Sequence, residues 1–275
     1  MLFLKGMAMG AADTVPGVSG GTIAFITNIY EELIYSIQRC NFHALKLLLQ
    51  GKFKAGWQFI NGNFLLTLFL GIVSAALLLA NLITYLLLNY EGHIKAFFIG
   101  LILASALTLR QGVRDWNSQT VSLFAAGIFL AIAINFIPQT QGEVASWFIF
   151  ISGAIAICAM ILPGISGAFI LVLLGSYETV LNALSNFDLV LLLIFMAGCL
   201  LGLIAFSNVL AYLLRRWHEQ TMAALLGILL GSVQGLIPEQ IDGGTSLSVW
   251  TSFVLLTMIG FALVYLLEKF TRTDA

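Results

Sequence analysis

One short motif occurs twice in this chain and constrains its fold more than any other feature. Residues 15–21 are VPGVSGG and residues 162–168 are LPGISGA, so the second copy lies 147 positions after the first. Proline cannot continue a helix, and glycine adopts backbone angles that other residues resist, so each copy predicts a break between two helices. Fourteen residues after its proline, each copy has a Tyr-Glu pair, Tyr30 with Glu31 and Tyr177 with Glu178.

Long apolar runs make up most of the remaining sequence. Of the 275 residues, 60% are hydrophobic and 9% are charged. About 20 helical residues cross a hydrocarbon core roughly 30 Å thick, and several runs reach that length. A membrane barrel would instead show alternating segments of about 10 residues. The chain is therefore predicted to be an all-α polytopic membrane protein, and its net charge of -1 excludes the basic surface of a nucleic-acid-binding protein.

The breaks and the apolar runs together predict two repeats. Residues 1–140 form the first repeat, with a re-entrant helix pair at 1–37, a cytoplasmic amphipathic insertion at 38–62 and three spans. Residues 141–275 form the second, with a re-entrant pair at 147–184 and three spans. The predicted arms of the re-entrant pairs are 1–12, 23–37, 147–162 and 165–184. The predicted spans are 64–88, 94–109, 121–137, 189–214, 222–237 and 249–267.

The two halves also match outside the breaks, at an offset of 127. The matched pairs are Gly71 with Gly198, Asn81 with Asn208, Tyr85 with Tyr212, Gly100 with Gly227 and Ser105 with Ser232. The smaller offset means that the first half carries 20 extra residues after its re-entrant pair, and these form the insertion. The insertion mixes basic and apolar residues, as amphipathic helices at membrane interfaces do, and a plain cytoplasmic loop is the alternative. Asn81 and Asn208 are expected to form hydrogen bonds between helices.

The distribution of basic residues predicts the orientation, because loops rich in Lys and Arg stay cytoplasmic. With both termini in the cytoplasm, eleven of the twelve Lys and Arg residues lie on that side, and only Lys95 lies outside. Three spans per repeat is an odd number, so the second repeat is predicted to be inverted relative to the first. Inverted repeats whose broken helices meet near the bilayer midplane are the architecture of secondary transporters.

The two breaks predict a binding site for an anion. Helix N-termini that enter from opposite faces would aim unpaired N–H groups and positive dipole ends at one place in the membrane. The predicted phosphate-binding residues are the small and hydroxyl residues of both breaks, Gly17, Ser19, Gly20, Gly21, Thr22, Gly164, Ser166 and Gly167. The alternative is that these small residues only allow tight helix packing. Two matched copies in an inverted duplication favour the ligand site.

Asp13 makes the two breaks chemically different. It lies three residues before Pro16, whereas Met160 occupies the corresponding position of the second copy. An acidic side chain at this depth in a membrane is energetically costly and is a functional candidate for that reason. Asp13 is expected either to relay protons or cations or to cap the exposed N–H groups of the break.

The Tyr-Glu pairs are predicted to lie away from the centre of the membrane. Fourteen helical residues extend about 20 Å, which would place Glu31 and Glu178 near opposite membrane faces as gate residues. Together with Asp13, the two glutamates and the neighbouring Tyr30 and Tyr177 are the residues predicted to serve in coupling and gating. Anchoring at the membrane interface is the simpler interpretation of both tyrosines.

The motifs also resemble the signature of a known family. MGAADTVPGVSGGT at 9–22, followed by IYE at 29–31, is similar to the signature of the polyprenyl-phosphate transporter family, PopT, long described as a bacterial domain of unknown function. LPGISG at 162–167 with GSYE at 175–178 is similar to it too, although Asn28 stands where the second copy has Gly175. The resemblance covers nearly the whole chain.

The resemblance implies a flippase of the bacterial cytoplasmic membrane. Such a protein returns undecaprenyl phosphate, the lipid carrier of cell-envelope glycan synthesis, from the outer leaflet to the inner one. The implied partners are this polyprenyl phosphate and the surrounding membrane lipids, and a homo-oligomer is one option for the assembly. Coupling to protons or another ion is expected.

Other classes of function fit the residues less well. The three cysteines and three histidines lack the spacing of a metal site or a catalytic set, so no metal, cofactor or enzymatic activity is predicted. A passive channel would need a continuous polar stripe. An ion-coupled secondary transporter of a small soluble organic anion is the main alternative, because the same architecture would serve it equally well.

Overall fold

The structure is a computed structural model that describes residues 1–13, 19–137, 145–237 and 247–273. All regular secondary structure within these ranges is helical. In chain order the helices are α1 Leu2–Asp13, α2 Gly20–Ile26, α3 Tyr30–Arg39, α4 Phe42–Leu49, α5 Phe53–Phe59, α6 Gly62–Arg110, α7 Ser118–Ile134, α8 Ser146–Ile161, α9 Gly167–Leu173, α10 Tyr177–Ser185, α11 Leu189–Arg216, α12 His218–Gly231, α13 Val233–Leu236 and α14 Leu247–Thr273.

Several helices are long and apolar enough to cross a membrane. Within the described ranges these are Gly62–Leu79, Asn89–Leu107 and Leu189–Arg216. The pair α9 and α10, bent by 110°, makes a fourth if it is counted as one broken span. Shorter apolar helices cover Ser118–Ile134, Ser146–Ile161 and Trp250–Tyr265. The prediction of an all-α polytopic membrane protein is confirmed.

The arm that follows each break is itself interrupted. The sequence predicts single helices at 23–37 and 165–184, but α2 and α3 divide the first, and α9 and α10 divide the second. Both predictions are wrong because a residue with positive φ turns the chain, Asn28 at 56° and Gly175 at 68°. Asparagine is among the few other residues that tolerate this left-handed region, so Asn28 forms the turn that Gly175 forms in the second half.

Three predicted spans also differ in their detail. The spans at 64–88 and 94–109 both lie in α6, which contains one non-helical residue, Tyr90 with φ -143° and ψ 36°. Because a non-helical residue interrupts the backbone hydrogen bonds, α6 consists of two helices joined at a kink. The predicted span at 222–237 is interrupted at Ser232, between α12 and α13.

The same glycine contacts recur at matched positions of the two halves. Gly6 of α1 faces the Leu68 carbonyl of α6, and Gly153 of α8 faces the Phe195 carbonyl of α11. The two glycines are 147 residues apart and their partners are 127 apart, which are the two offsets found in the sequence. A side chain on either glycine would collide with the facing backbone, so the close approach of the helices requires glycine.

A second set of matched contacts joins one half to the other. Gly100 of α6 faces the Thr257 carbonyl of α14, and Gly227 of α12 faces the Phe124 carbonyl of α7. The last long helix of each half therefore packs on the other half, α7 on α12 and α14 on α6. This exchange interlocks the two halves around the breaks.

The segment at 38–62 forms two short helices, α4 and α5. Gly51, with φ of 73°, makes the turn between them, and Asn41 caps α4 by accepting a hydrogen bond from the His43 N–H at 2.9 Å. The exposed apolar side chains of the 38–62 segment are Phe42, Leu45, Leu48, Leu49, Phe53 and Trp57. Lys46, Lys52 and Lys54 are exposed beside them. The composition of this surface fits the predicted amphipathic element better than a plain loop.

Candidate functional site

The two breaks pack against each other inside the protein. The Ser19 hydroxyl donates to the Met160 carbonyl oxygen at 2.7 Å, and the Gly164 N–H donates to the Thr22 hydroxyl oxygen at 2.8 Å. Ser19 and Thr22 are each 1% exposed. A Cβ atom on Gly21 would lie 2.5 Å from the Ile161 carbonyl oxygen, so only glycine fits there. The first break therefore binds the second directly.

Asp13 caps the helix that follows the first break. Its Oδ1 atom accepts a hydrogen bond from the Gly20 N–H at 2.6 Å, at the start of α2. Ser19 is the N-cap residue of the same helix and accepts from the Gly21 N–H at 3.0 Å. The capping interpretation of Asp13 thus matches the geometry. Asp13 also lines a cavity, so capping does not remove it from the site.

The second break has an open side. The chain leaves α8, turns at Gly164 with φ of 86°, and enters α9 at Gly167. Ser166 is the N-cap residue of α9, and its hydroxyl oxygen accepts from the Phe169 N–H at 3.4 Å. The hydroxyl hydrogen of Ser166 is free to be donated elsewhere, because the N–H contact uses only the oxygen.

A cavity of about 630 Å³ lies beside this break. Its polar side chains are Asp13, Lys95, Asn135, Ser166, Tyr177 and Ser232. They come from both halves of the chain, and apolar residues of α7 and α9 complete the walls. No group of three His, Cys, Asp or Glu side chains that could hold a metal ion occurs in the part of the chain that the structure describes.

Lys95 is the charged residue of the site that the sequence analysis missed. Its side chain is 15% exposed, and its Nζ atom lies 2.7 Å from Glu91 Oε1, one helical turn earlier in α6. A cation that is mostly shielded from water attracts an anion far more strongly than a cation in water does. The sequence feature that could have identified Lys95 is its position as a single lysine in an apolar helix, away from the other basic residues, because such a lysine is a functional candidate.

Several predicted phosphate ligands do not line the cavity. Ser19, Gly20, Gly21 and Thr22 are buried where the two breaks meet, and their role as ligands stays a prediction. Gly167 is buried against Ala156. The cavity is lined by Gly164 and Ser166 among the predicted ligands. Gly17 lies outside the described residues.

The two tyrosines lie in different surroundings. Tyr177 follows the turn at Gly175 and lines the cavity together with Gly164 and Ser166 of the break, and its coupling or gating role stays a prediction. Tyr30 is 2% exposed, and its ring meets the ring of Phe25 edge to face with centroids 5.1 Å apart. An interfacial anchor would be exposed to the headgroups, so that interpretation of Tyr30 is wrong.

Glu31 and Glu178 differ in their surroundings. Glu178 is exposed at the start of α10. Glu31 Oε1 lies 2.8 Å from His218 Nε2, which joins α3 to the start of α12. Beside this pair, Arg215 donates a hydrogen bond to Gln38, and its guanidinium lies 5.2 Å from the ring centroid of Tyr35. We name these residues, Glu31, Tyr35, Gln38, Arg215 and His218, the α3–α12 cluster.

The α3–α12 cluster and the cavity occupy opposite ends of α12. The cluster holds His218, the first residue of α12, whereas the cavity is lined by Ser232 and Gly235 beyond its last residue. Fourteen helical residues separate the two ends by about 20 Å. The two halves are therefore joined by polar contacts at one end of α12 while the cavity lies at the other.

The asparagines matched in the two halves do not both behave as expected. Asn208 is exposed and donates to the Ile204 carbonyl of its own helix at 2.8 Å, so the predicted hydrogen bond between helices is wrong for this residue. The side chain of Asn81 lies outside the described part of the structure.

Comparisons with known proteins point to one family. The undecaprenyl phosphate translocase-like family matches residues 9–266. A polyprenyl-phosphate transporter of Vibrio cholerae serotype O1 is 46% identical over 236 residues, which are 86% of this chain and 77% of that protein. A polyprenyl-phosphate transporter of Staphylococcus aureus is 33% identical over 289 residues, which are 98% of this chain and 96% of that protein. No solved structure matches the chain. The family match and both relatives cover most of the sequence, and this chain therefore belongs to the undecaprenyl phosphate translocase-like family.

Proposed function

We propose that this protein transports polyprenyl phosphate, and specifically that it returns undecaprenyl phosphate from the outer to the inner leaflet of the bacterial cytoplasmic membrane. The observation that carries the proposal is the cavity beside the second break, where Lys95 supplies a mostly buried positive charge. Ser166 can add a hydroxyl donor from the break itself. A buried cation with a nearby hydroxyl suits a phosphate headgroup. The names of both relatives support the substrate class.

A second cavity favours a lipid over a small soluble anion. It measures about 430 Å³ and borders the same break at Leu162. Most of its lining is apolar and includes Phe206, Leu210, Leu213 and Ile228. A soluble organic anion does not need such a surface, whereas the isoprenoid tail of a lipid phosphate must stay in apolar surroundings while the headgroup is bound, and this surface supplies them. A polar cavity and an apolar cavity at one break fit the two parts of one lipid molecule.

We further propose that the two halves are inverted repeats that expose the site alternately. The glycine contacts that recur at offsets of 147 and 127 support the repeats. The α3–α12 cluster contains Arg215 and so belongs to the side predicted to be cytoplasmic. In this arrangement the cluster closes the cytoplasmic side while the cavity with Lys95 lies toward the outer side. Glu31 would then act as a gate residue through His218.

The orientation can be tested by cysteine labelling. In a chain whose three native cysteines are replaced by alanine, Gly243→Cys should react with a membrane-impermeant maleimide added outside intact cells, and Lys52→Cys should not. The basic residues of the insertion should stay cytoplasmic, whereas the loop at 238–248 has no Lys or Arg. Labelling Lys52→Cys after permeabilisation shows that the site is reactive. External labelling at 52 and protection at 243 would rule out the proposed orientation.

The transport proposal is tested with the purified protein in proteoliposomes that contain undecaprenyl phosphate. A membrane-impermeant phosphatase added outside reports how much substrate the outer leaflet exposes. The protein should speed the exchange of undecaprenyl phosphate between leaflets, and empty liposomes should not. Uptake of a soluble organic phosphate without lipid exchange would favour the alternative carrier. Release of inorganic phosphate by the protein alone would indicate an enzyme instead.

We propose that Asp13 couples transport to a proton. Moving a phosphate inward, against a potential that is negative inside, costs about 2.3 kcal/mol per charge per 100 mV unless a cation moves with it. A protonated Asp13 can share the cavity with the phosphate, whereas an ionised one would repel it. Affinity for the phosphate should therefore fall as rising pH ionises Asp13.

Asp13→Asn separates the coupling role from the capping role. The asparagine oxygen can still accept the hydrogen bond from the Gly20 N–H, so the cap should survive. We expect this variant to bind phosphate at a level that no longer depends on pH and to lose the response of transport to an imposed pH gradient. Asp13→Ala, which lacks the cap as well, is the comparison for structural damage. A full gradient response by Asp13→Asn in proteoliposomes would leave Asp13 as a helix cap only.

A further inference from the structure

Lys95 and Glu91 form an ion pair whose two members have very different surroundings. Both lie in the second part of α6, four residues apart, with Nζ and Oε1 separated by 2.7 Å. The Lys95 side chain is 15% exposed and lines the cavity, whereas the Glu91 side chain is 53% exposed and is not among the lining residues. The carboxylate thus reaches the lysine from the rim, and the lysine faces the space where an anion would sit.

We propose that Glu91 is the ion-pair partner of Lys95 while the cavity is empty, and that the phosphate headgroup displaces the Glu91 carboxylate from Lys95 on binding. The inference rests on the proposed function and deepens it, because it names the group with which the substrate competes. Glu91 is then a positioning residue that acts through Lys95. It sets how tightly the phosphate is held and how readily it leaves.

The burial of the two side chains explains why the exchange can run in either direction at a moderate cost in free energy. A mostly buried lysine without a partner would carry a large desolvation cost, so the empty state needs a counter-charge. Glu91 supplies it from one turn away on the same helix, and no movement of the backbone is required. When phosphate takes its place, the carboxylate is already at the rim, where water can solvate its charge. The net gain from binding is the difference between two ion pairs and is therefore moderate.

The exchange also gives a reason for selectivity. An uncharged polyprenol cannot compensate Lys95, so it cannot displace the Glu91 carboxylate. Only a ligand with an anionic headgroup can do so. Asp13 lines the same cavity and accepts the Gly20 N–H at its Oδ1 atom, and Glu91 is the acid within ion-pair distance of Lys95 among the described residues. The pair therefore discriminates the phosphate from the alcohol.

Binding of farnesyl phosphate, a short water-soluble polyprenyl phosphate, to the full chain in detergent tests this inference. Lys95→Gln should weaken binding about tenfold or more, the size expected from losing a charge-assisted hydrogen bond. Glu91→Gln should tighten binding several-fold and slow the release of the ligand, because the competitor is gone. The double variant should bind like Lys95→Gln alone, and Lys95→Arg should retain binding. Lys46→Gln, which removes an exposed cation that does not line the cavity, should bind like the native protein.

The outcomes separate this inference from the proposed function. Weaker or unchanged binding in Glu91→Gln, with native elution and thermal stability, would reduce the pair to a structural contact and overturn the exchange. Unchanged binding in Lys95→Gln would overturn the exchange too. Neither result would contradict the proposal that the native protein transports undecaprenyl phosphate. If the native protein binds farnesyl phosphate no better than farnesol and does not exchange undecaprenyl phosphate between leaflets, both proposals fail together.

Discussion

Replacing Gly164 by alanine should abolish transport while the protein still inserts into the membrane. Gly164 has φ of 86°, a left-handed conformation that costs an alanine about 1–2 kcal/mol. Its Cβ atom would also lie 2.7 Å from the Ser232 hydroxyl oxygen and 3.1 Å from the Ile228 carbonyl oxygen. The turn must therefore shift away from α12, which moves Ser166 and breaks the hydrogen bond that the Gly164 N–H donates to Thr22.

Two further variants make this prediction specific. Gly235 lines the same cavity, and the nearest atom to its Cβ position is 3.6 Å away, so Gly235→Ala should transport normally. Adding Ser232→Gly to Gly164→Ala removes the clash with the Ser232 side chain but leaves the backbone strain, so transport should recover only in part. For all three variants, transport is measured as the rate of undecaprenyl phosphate exchange between leaflets in proteoliposomes. Equal rates for Gly164→Ala and Gly235→Ala would contradict the role assigned to the turn.

The second large effect concerns stability. Gly100→Ala and Gly227→Ala should each destabilise the protein by about 1–3 kcal/mol or more, because a methyl group at either position collides with a backbone carbonyl of the facing helix. A carbonyl held in a helix cannot rotate aside as a side chain can. The two positions are matched in the two halves and make matched contacts with α14 and α7, so their effects should be similar in size.

Gly92→Ala provides the matched control on the same long helix as Gly100. No atom lies within 4 Å of its Cβ position, apart from those of its own helix and chain neighbours. Alanine in a helix is favoured over glycine by up to about 1 kcal/mol, so this variant should be unchanged or slightly more stable. Thermal unfolding of the purified variants in detergent measures the difference. Stability of Gly100→Ala equal to that of Gly92→Ala would mean that α6 and α14 do not need to pack closely.

The helix breaks and the membrane class were predictable from sequence because local chemistry decides them. Apolar runs long enough to cross a bilayer predict helices in any membrane protein. Pro163 and Gly164 interrupt a helix wherever they occur, and Ser166 caps the next one. The second interruption at Asn28 and Gly175 was missed because asparagine and glycine are compatible with a helix, at some cost, and only the observed positive φ identifies the turn.

Which residues share the cavity depended on contacts that no local pattern contains. The motif around Ser19 predicted ligands, but packing of one break on the other uses its hydroxyl to hold Met160. Lys95 is 82 residues from Asp13 in sequence and shares a cavity with it because α1 packs on α6. Tyr177 joins them because the chain turns back at Gly175. Local sequence therefore determined where most helices begin, end and break. The close packing of helices that are distant in sequence decided which charges and hydroxyl groups meet. These meetings depend on how closely two backbones approach, and no neighbouring residue in the sequence specifies that distance.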